Sequence, residues 1–308
     1  MDRLDDRLMS SSLLYSPARN APGSTLPTPA PRKARPRRLA GLLVLPACIV
    51  LAVFFLYPLA LIIWRSFSEP SLGFANYVEL FTNESSLKVL LRTFLTALAV
   101  STITLVMAYP YAYMMTRVNR RTRAVLMAIA MLPFWMSLMA RTFAWVVLLG
   151  HGGPVAKLFA LFGMDDVVLL GTVWGVVVGT VQVLLPYMIL TLYGTMQGID
   201  MRLVDAAKSL GATPRSAFRR VYLPLSLPGV AAGYTLVFVI SLGFYITPRI
   251  LGSPQQSLIA QVIGIRVERL LDFGGAGAMS VLLLVLTALL LIVVSRVSGN
   301  RKLLEGGS

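Results

Sequence analysis

The amino-acid sequence predicts an all-α membrane protein with six transmembrane helices and both termini in the cytoplasm. Hydrophobic residues make up 56% of the 308 residues and charged residues only 13%, whereas about 25% is usual in water-soluble domains. The mean hydropathy is +0.75. Six stretches are long and apolar enough to cross roughly 30 Å of hydrocarbon. The 28 basic residues outnumber the 13 acidic ones and cluster between these stretches, on one side of a six-span topology.

The six spans are predicted in chain order at 40–63, 92–116, 124–149, 171–197, 223–248 and 277–296. Pro110, Pro133 and Pro224 mark the second, third and fifth spans. Proline is tolerated in membrane helices where neighbouring groups satisfy the freed backbone. We expect interfacial helices in the outer connections near 70–90 and 251–270. No soluble domain of useful size remains outside the spans.

The orientation follows from the basic residues, 20 of which lie in four segments. These are the chain before residue 40, the connection 117–123, the loop 198–222 and the C-terminal tail. Cytoplasmic loops carry an excess of Lys and Arg, so these segments are predicted to be cytoplasmic. Topology thus accounts for the net charge of +15. A nucleic-acid partner is not expected, because it would require those charges on one folded face.

The two ends of the chain differ in composition from the rest. Residues 1–38 are rich in Ser, Pro, Ala and Arg, and we expect a disordered basic cytoplasmic tail that contacts anionic membrane lipid. Residues 39–298 form the six-span domain. Residues 299–308 are expected to be a short cytoplasmic tail whose end is a cloning remnant.

A charged segment, residues 199–222, separates the fourth and fifth spans and cannot lie in lipid. The sequence DAAK, beginning at Asp205, favours a helix. Gly211 supplies a left-handed residue that ends such a helix. Thr213 then offers an N-cap oxygen, and Pro214 fits the first position of a second helix. The segment is therefore predicted to be a helix–turn–helix elbow at the membrane surface that contacts another protein.

Few residues in the chain point to catalysis or metal binding. Cys48 and His151 are the sole cysteine and histidine, and the sequence contains no Walker A motif. A membrane enzyme is disfavoured because a catalytic constellation is missing. A channel or gradient-driven transporter remains a distant alternative, although it leaves the elbow without a purpose. We expect no metal site, no cofactor in this chain and no enzymatic activity of its own.

The elbow carries a family resemblance. Asp205-Ala206-Ala207, then Gly211 four residues on and Leu223-Pro224 after it, resembles the EAA loop of binding-protein-dependent ABC importer permeases. In that family the loop docks into a cleft on the cytoplasmic ATPase. The resemblance implies the type I ABC importer permease fold and coupling residues Asp205, Ala206, Ala207, Gly211 and Arg215. The small residues would permit close approach, and Asp205 would meet a basic ATPase residue. This chain has Asp205 where Glu is usual, which shortens the reach.

A more specific resemblance, to the B-type permease subunit of spermidine/putrescine importers, extends over most of residues 40–297. It is carried by Ala108-Tyr109-Pro110-Tyr111-Ala112-Tyr113, Leu132-Pro133-Phe134-Trp135, Arg141-Thr142-Phe143, Leu184-Leu185-Pro186-Tyr187, Gly243-Phe244-Tyr245-Ile246 and Asp272-Phe273-Gly274. It implies a location in the bacterial inner membrane and transport by alternating access. The implied partners are a second homologous permease, a cytoplasmic ATPase dimer that binds ATP and Mg, and a periplasmic substrate-binding protein.

The substrate path is predicted from aromatic residues, because all 13 acidic residues lie outside the predicted spans. The π faces of aromatic side chains hold ammonium groups with about 0.5–2 kcal/mol each. A partner permease would supply the missing carboxylates. An alternative is that these aromatics serve packing or the membrane interface. The aromatic candidates are Trp135, Trp145, Tyr187, Phe244 and Tyr245.

Arg141 is the one basic residue clearly within a predicted span. Intramembrane charges usually face a bundle interior or an aqueous cavity. Arg141 is therefore a further candidate for the substrate path, where it would orient a cation or bind a carboxylate. The alternatives are pairing with a partner subunit and snorkelling to the interface. Zwitterionic substrates such as 4-aminobutyrate or an opine stay open on this ground.

Overall fold

The computed structural model describes residues 46, 48–164 and 167–305, with side chains up to residue 296. The chain forms two units, Met1–Val53 and Phe54–Ser308. In the first unit the described residues are helical, and the predicted tail 1–38 lies outside the described residues. The helices described below belong to the second unit, apart from the start of the first helix.

The described residues form twelve α-helices, a 3-10 helix at Pro254–Gln256 and a π-helical segment at Arg266–Leu270 that follows the eleventh α-helix, and they contain no β-strand. In chain order the α-helices are α1 (Cys48–Ser68), α2 (Ala75–Thr82), α3 (Glu84–Arg117), α4 (Arg120–Trp135), α5 (Leu138–Leu149), α6 (Pro154–Ala160), α7 (Val173–Met196), α8 (Met201–Ser209), α9 (Pro214–Leu242), α10 (Ile246–Leu251), α11 (Ile259–Ile265) and α12 (Phe273–Glu305).

Six helical segments are long and apolar enough to span a membrane, which confirms the predicted number. They are Cys48–Ser68, Glu84–Arg117, Leu138–Ala160, Val173–Met196, Pro214–Leu242 and Phe273–Arg296. The short helices α2 and α11 lie where interfacial helices were expected, and α10 lies mostly in the stretch predicted as the end of the fifth span.

The third predicted span, 124–149, is divided between α4 and α5. Pro133 lies in the last turn of α4, and the helix ends two residues later. Met136 and Ser137 are non-helical before α5 begins. Proline removes a backbone donor and disfavours continued helix, which accounts for a break here.

Two other predicted boundaries were wrong. Helix α3 starts at Glu84 rather than at residue 92, because Asn83 caps it by accepting the Ser85 N–H at 2.9 Å. Helix α9 ends at Leu242, so the fifth span stops before residue 248. The sixth candidate span ends at Arg296, as predicted, and the backbone of α12 stays helical through Glu305. Hydropathy reports apolar composition. A prediction based on hydropathy therefore misses the first and last turns of a helix where those turns are charged.

Helix α7 is the centre of the described core and packs against both α3 and α9. Close approach of α9 depends on glycine. A Cβ at Gly229 would lie 2.7 Å from Thr195 Cβ, and one at Gly233 would lie 2.7 Å from Met188 Sδ. Small residues at such crossings let membrane helices pack by van der Waals contact. The segment that connects α7 to α9 is thereby attached at both ends to tightly packed helices.

Candidate functional site

The elbow, residues 199–222, has the predicted helix–turn–helix geometry. Asp200 caps α8 by accepting the Arg202 N–H at 2.9 Å. Gly211 ends the helix with a φ of +89°, a conformation that residues other than glycine rarely adopt. The Ala212 N–H then donates to the carbonyl of Ala207 at 3.1 Å. Thr213 Oγ1 accepts the Ser216 N–H at 3.3 Å and begins the second helix.

The second helix of the elbow is not a separate element, which the sequence did not predict. It continues without interruption into the fifth span, so that α9 runs for 29 residues. The join is a π-helical segment, Phe218–Tyr222. Such segments are often found at functional sites. The second helix of the elbow and the fifth span are therefore one continuous helix.

The elbow presents one buried and one exposed face. Val204, Ala217 and Tyr222 are almost fully buried in the central core. On the other face Leu203 is 51% exposed and Leu210 is 89% exposed. Leu203 and Leu210 therefore add apolar surface to a segment whose other exposed side chains are largely charged or polar.

The predicted coupling residues lie mainly on the exposed face. The Asp205 carboxylate accepts a hydrogen bond from Lys208 Nζ at 3.0 Å, and both side chains are well exposed. Ala206 is exposed and Ala207 is half-buried against the core. Arg215 is exposed, without an ion pair among the described side chains.

Within this chain, Gly211 is required by its backbone conformation rather than by close packing. A Cβ at Gly211 would meet nothing within 4 Å. Close approach inside the chain therefore does not explain the glycine, and the positive φ does.

An aromatic cluster, Tyr109, Tyr113, Phe218 and Tyr222, joins the elbow to α3. The Tyr113 ring meets Phe218 edge to face at 5.5 Å and Tyr222 at 4.9 Å. Phe218 and Tyr222 stack at 5.6 Å, and Tyr109 meets Phe218 at 6.3 Å. Arg117 Nη2 donates to Tyr113 Oη at 2.8 Å. Sequence reasoning noted the tyrosines only as part of a resemblance and did not pair them with the elbow.

The predicted substrate-path residues do not form one cluster. Trp135, the last residue of α4, is 89% exposed. Trp145 packs in a separate apolar cluster beside Leu149 and Val176. Tyr187 packs against the central core, and its ring meets Phe134 edge to face at 5.0 Å. Trp135 thus has a free aromatic face, while Trp145 and Tyr187 serve packing within the chain.

Phe244 and Tyr245 lie in the turn after α9 rather than inside the span. The Arg249 guanidinium lies over the Tyr245 ring, 5.1 Å from its centroid. Tyr245 Oη donates to Glu268 Oε1 at 3.3 Å, and Arg249 pairs with Glu268 at 3.1 Å. A cation already occupies one face of Tyr245. Sequence reasoning missed Arg249 and Glu268, whose only signal was charge in the outer connection.

Arg141 lies in the first turn of α5, just after the break between α4 and α5. Its side chain is half-buried. The Nε atom is buried and has no hydrogen-bond partner in the part of the chain that the structure describes. A guanidinium in this setting needs an acceptor from outside these residues.

Comparisons with known proteins agree with this geometry. Residues 102–300 match the family described as binding-protein-dependent transport system inner membrane component. The chain is 33% identical to the spermidine/putrescine transport system permease protein PotB of Haemophilus influenzae, over 84% of this chain and 90% of the relative. It is 28% identical to PotB of Escherichia coli, over 80% and 94%.

Among solved structures, the chain resembles a bacterial alginate ABC transporter in complex with an alginate pentasaccharide-bound periplasmic protein. The TM-score is 0.66 at 20% identity, covering 85% of this chain and 94% of the other. At that identity the likeness shows the fold alone.

Proposed function

The chain belongs to the family of binding-protein-dependent transport system inner membrane components, and from this premise we propose that its substrate is a small polycation of the spermidine/putrescine class. The protein is a multi-pass inner-membrane permease subunit of an ABC importer. The observation that carries the substrate class is the 33% identity to a spermidine/putrescine permease over 84% of the chain.

The proposed assembly has three kinds of partner. A second homologous permease completes the membrane part, and a periplasmic binding protein delivers the solute. A cytoplasmic ATPase dimer binds ATP and Mg, so that this chain carries no catalytic role. Membrane lipid surrounds the six spans. The family description and the periplasmic protein in the alginate transporter support these assignments.

The elbow is proposed to dock on the ATPase through its exposed face. Leu203 and Leu210 supply apolar contact, and Asp205 and Arg215 supply charge. Because α9 is continuous from the elbow into the fifth span, closure of the ATPase dimer moves that span directly. The aromatic cluster passes the same displacement to α3. Alternating access then results from a rigid lever rather than a flexible loop.

The polycation is proposed to follow aromatic faces and carboxylates supplied by both permeases. Within this chain Trp135 offers the most exposed aromatic ring of the predicted set. Trp145 and Tyr187 are committed to packing within the chain. Tyr245, with Arg249 and Glu268, lies near the outer opening under the predicted topology.

A second candidate substrate is a zwitterionic solute such as 4-aminobutyrate or an opine. The buried and unpaired Nε of Arg141 favours it, because a substrate carboxylate would supply the acceptor that the described residues lack. In the polyamine case that acceptor comes from the partner permease.

The test is ATPase activity of the purified complex in nanodiscs with its binding protein, against spermidine, putrescine, 4-aminobutyrate and an opine. Stimulation by polyamines alone is the expected result. Stimulation by a zwitterion alone would overturn the polyamine assignment and leave the importer assignment intact.

A further inference from the structure

A groove of about 500 Å³ runs along α3 beside the start of α7, at the end of both helices opposite the elbow. Its walls are mostly apolar and include Leu91, Leu95, Ala99 and Trp174. Leu91 is 62% exposed and Trp174 is 60% exposed. The proposed coupling and substrate residues do not line it.

The α3 residues of the groove form one continuous stripe. Lys88, Leu91, Arg92, Leu95 and Ala99 recur at spacings of three and four, which places them on one helix face. From Lys88 to Ala99 the helix rises about 16 Å. One leaflet of hydrocarbon is about 15 Å thick. The stripe therefore has the length of a single acyl chain.

The groove is basic at one end only. Arg92 Nη1 donates to the carbonyl of Gln255 at 2.8 Å and, more weakly, to that of Ser257 at 3.4 Å. Its positive charge has no carboxylate partner among the described side chains. Lys88 pairs with Glu84 at 2.6 Å, but both side chains are largely exposed, so that a phosphate can compete for it.

We propose that this groove binds an anionic phospholipid, with its headgroup at Lys88 and Arg92 and one acyl chain along Leu91, Leu95 and Ala99. Lys88 and Arg92 lie at one end of the stripe, and the apolar residues continue from there along the helix. A phospholipid has the same arrangement, with a charged headgroup followed by an apolar acyl chain. Trp174 lies at the rim, as tryptophan commonly does at membrane interfaces. A helix of the partner permease would match the apolar stripe and leave the net positive end without a counter-charge.

The test uses the whole transporter with benzoylphenylalanine in place of Leu91. The complex is placed in nanodiscs of equimolar phosphatidylcholine and phosphatidylglycerol and is illuminated to start crosslinking. The mass of this chain and of its adducts is then measured by mass spectrometry. A lipid adduct enriched about fivefold or more in phosphatidylglycerol is expected, the factor for one basic side chain near a membrane. Crosslinking to a partner subunit, or adducts in the bulk lipid ratio, would overturn the proposal.

Two matched pairs of variants refine the result. Lys88→Gln should reduce the enrichment severalfold, and Lys157→Gln, an exposed lysine outside the groove, should not. Leu95→Trp should lower the adduct yield by filling the groove, unlike Leu98→Trp on the same helix. Phospholipid co-purified with the unmodified complex provides a second readout. Equal effects within both pairs, with no phosphatidylglycerol retained, would contradict a lipid site.

Discussion

Tyr113 of α3 and Tyr222 of the elbow meet edge to face, with ring centroids 4.9 Å apart and planes inclined by 80°. The two residues are distant in sequence, and Tyr222 is 1% exposed. The contact fixes the π-helical join of α9 against the second span. The elbow is continuous with α9, and this contact attaches it to α3 as well.

Replacing Tyr222 with leucine should weaken this tie while keeping the site apolar. An edge-to-face pair is worth about 0.5–1.5 kcal/mol beyond its buried area. We expect normal insertion with fewer solute molecules imported per ATP hydrolysed, measured in proteoliposomes. Tyr222→Phe is the control, because it keeps the aromatic ring and its edge-to-face contact with Tyr113 and removes only the hydroxyl. Equal coupling ratios in the leucine variant and the wild type would refute the tie.

Gly211 should be sensitive to substitution through its backbone alone. Alanine at a left-handed φ costs about 1–2 kcal/mol, so that Gly211→Ala should reduce uptake. Gly194→Ala is matched, since added Cβ atoms at both positions meet nothing within 4 Å and only Gly211 has a positive φ. Gly211→Pro should abolish uptake, because it also removes the N–H that donates to the Lys208 carbonyl at 2.9 Å. Membrane abundance, measured by immunoblot, should stay normal in all three variants.

The carboxylate of Asp205 has two candidate roles, pairing with Lys208 within α8 and contacting a basic residue of the ATPase, and variants of the pair distinguish them. An exposed pair one turn apart contributes only about 0.2–0.5 kcal/mol to a helix, so its loss should not unfold the elbow. Asp205→Lys should abolish uptake if the carboxylate meets a basic ATPase residue. The double variant Asp205→Lys, Lys208→Asp restores a pair within the helix but not the charge position. We expect it to stay inactive in an uptake assay. Recovery of transport would show that pairing within α8 is what matters.

Local signals accounted for what the sequence predicted well. Each span is a long apolar run, and the elbow is framed by a glycine with positive φ and by the Thr213 cap. Both are properties of neighbouring residues. The boundary of α3 was missed because its first turns carry Glu84, Lys88 and Arg92, which a hydropathy criterion rejects.

Contacts between segments that are distant along the chain could not be predicted from the sequence. The aromatic cluster joins residues near 110 to residues near 220. Arg249 pairs with Glu268, and α11 lies between these two residues in the sequence. A single sequence gives no register between helices that are far apart along the chain. The substrate-path set therefore mixed residues with free aromatic faces and residues committed to packing.

Trp135 and Tyr245 offer the sharpest test of that distinction. Trp135 is 89% exposed, whereas Arg249 already lies over the Tyr245 ring. If a polyamine passes over the tryptophan, Trp135→Ala should raise the half-saturating spermidine concentration about two- to thirtyfold, the equivalent of one cation–π contact. Trp135→Phe should have a smaller effect.

Tyr245→Ala should change that concentration by less than about twofold, because Arg249 rather than a substrate ammonium occupies its face. Concentration-dependent uptake of radiolabelled spermidine in proteoliposomes measures all three variants. The converse order, with Tyr245→Ala severe and Trp135→Ala mild, would place the cation path at the Arg249–Glu268 pair. Arg249 would then have to leave the ring as substrate enters, and the carboxylate of Glu268 would become the group that receives the ammonium.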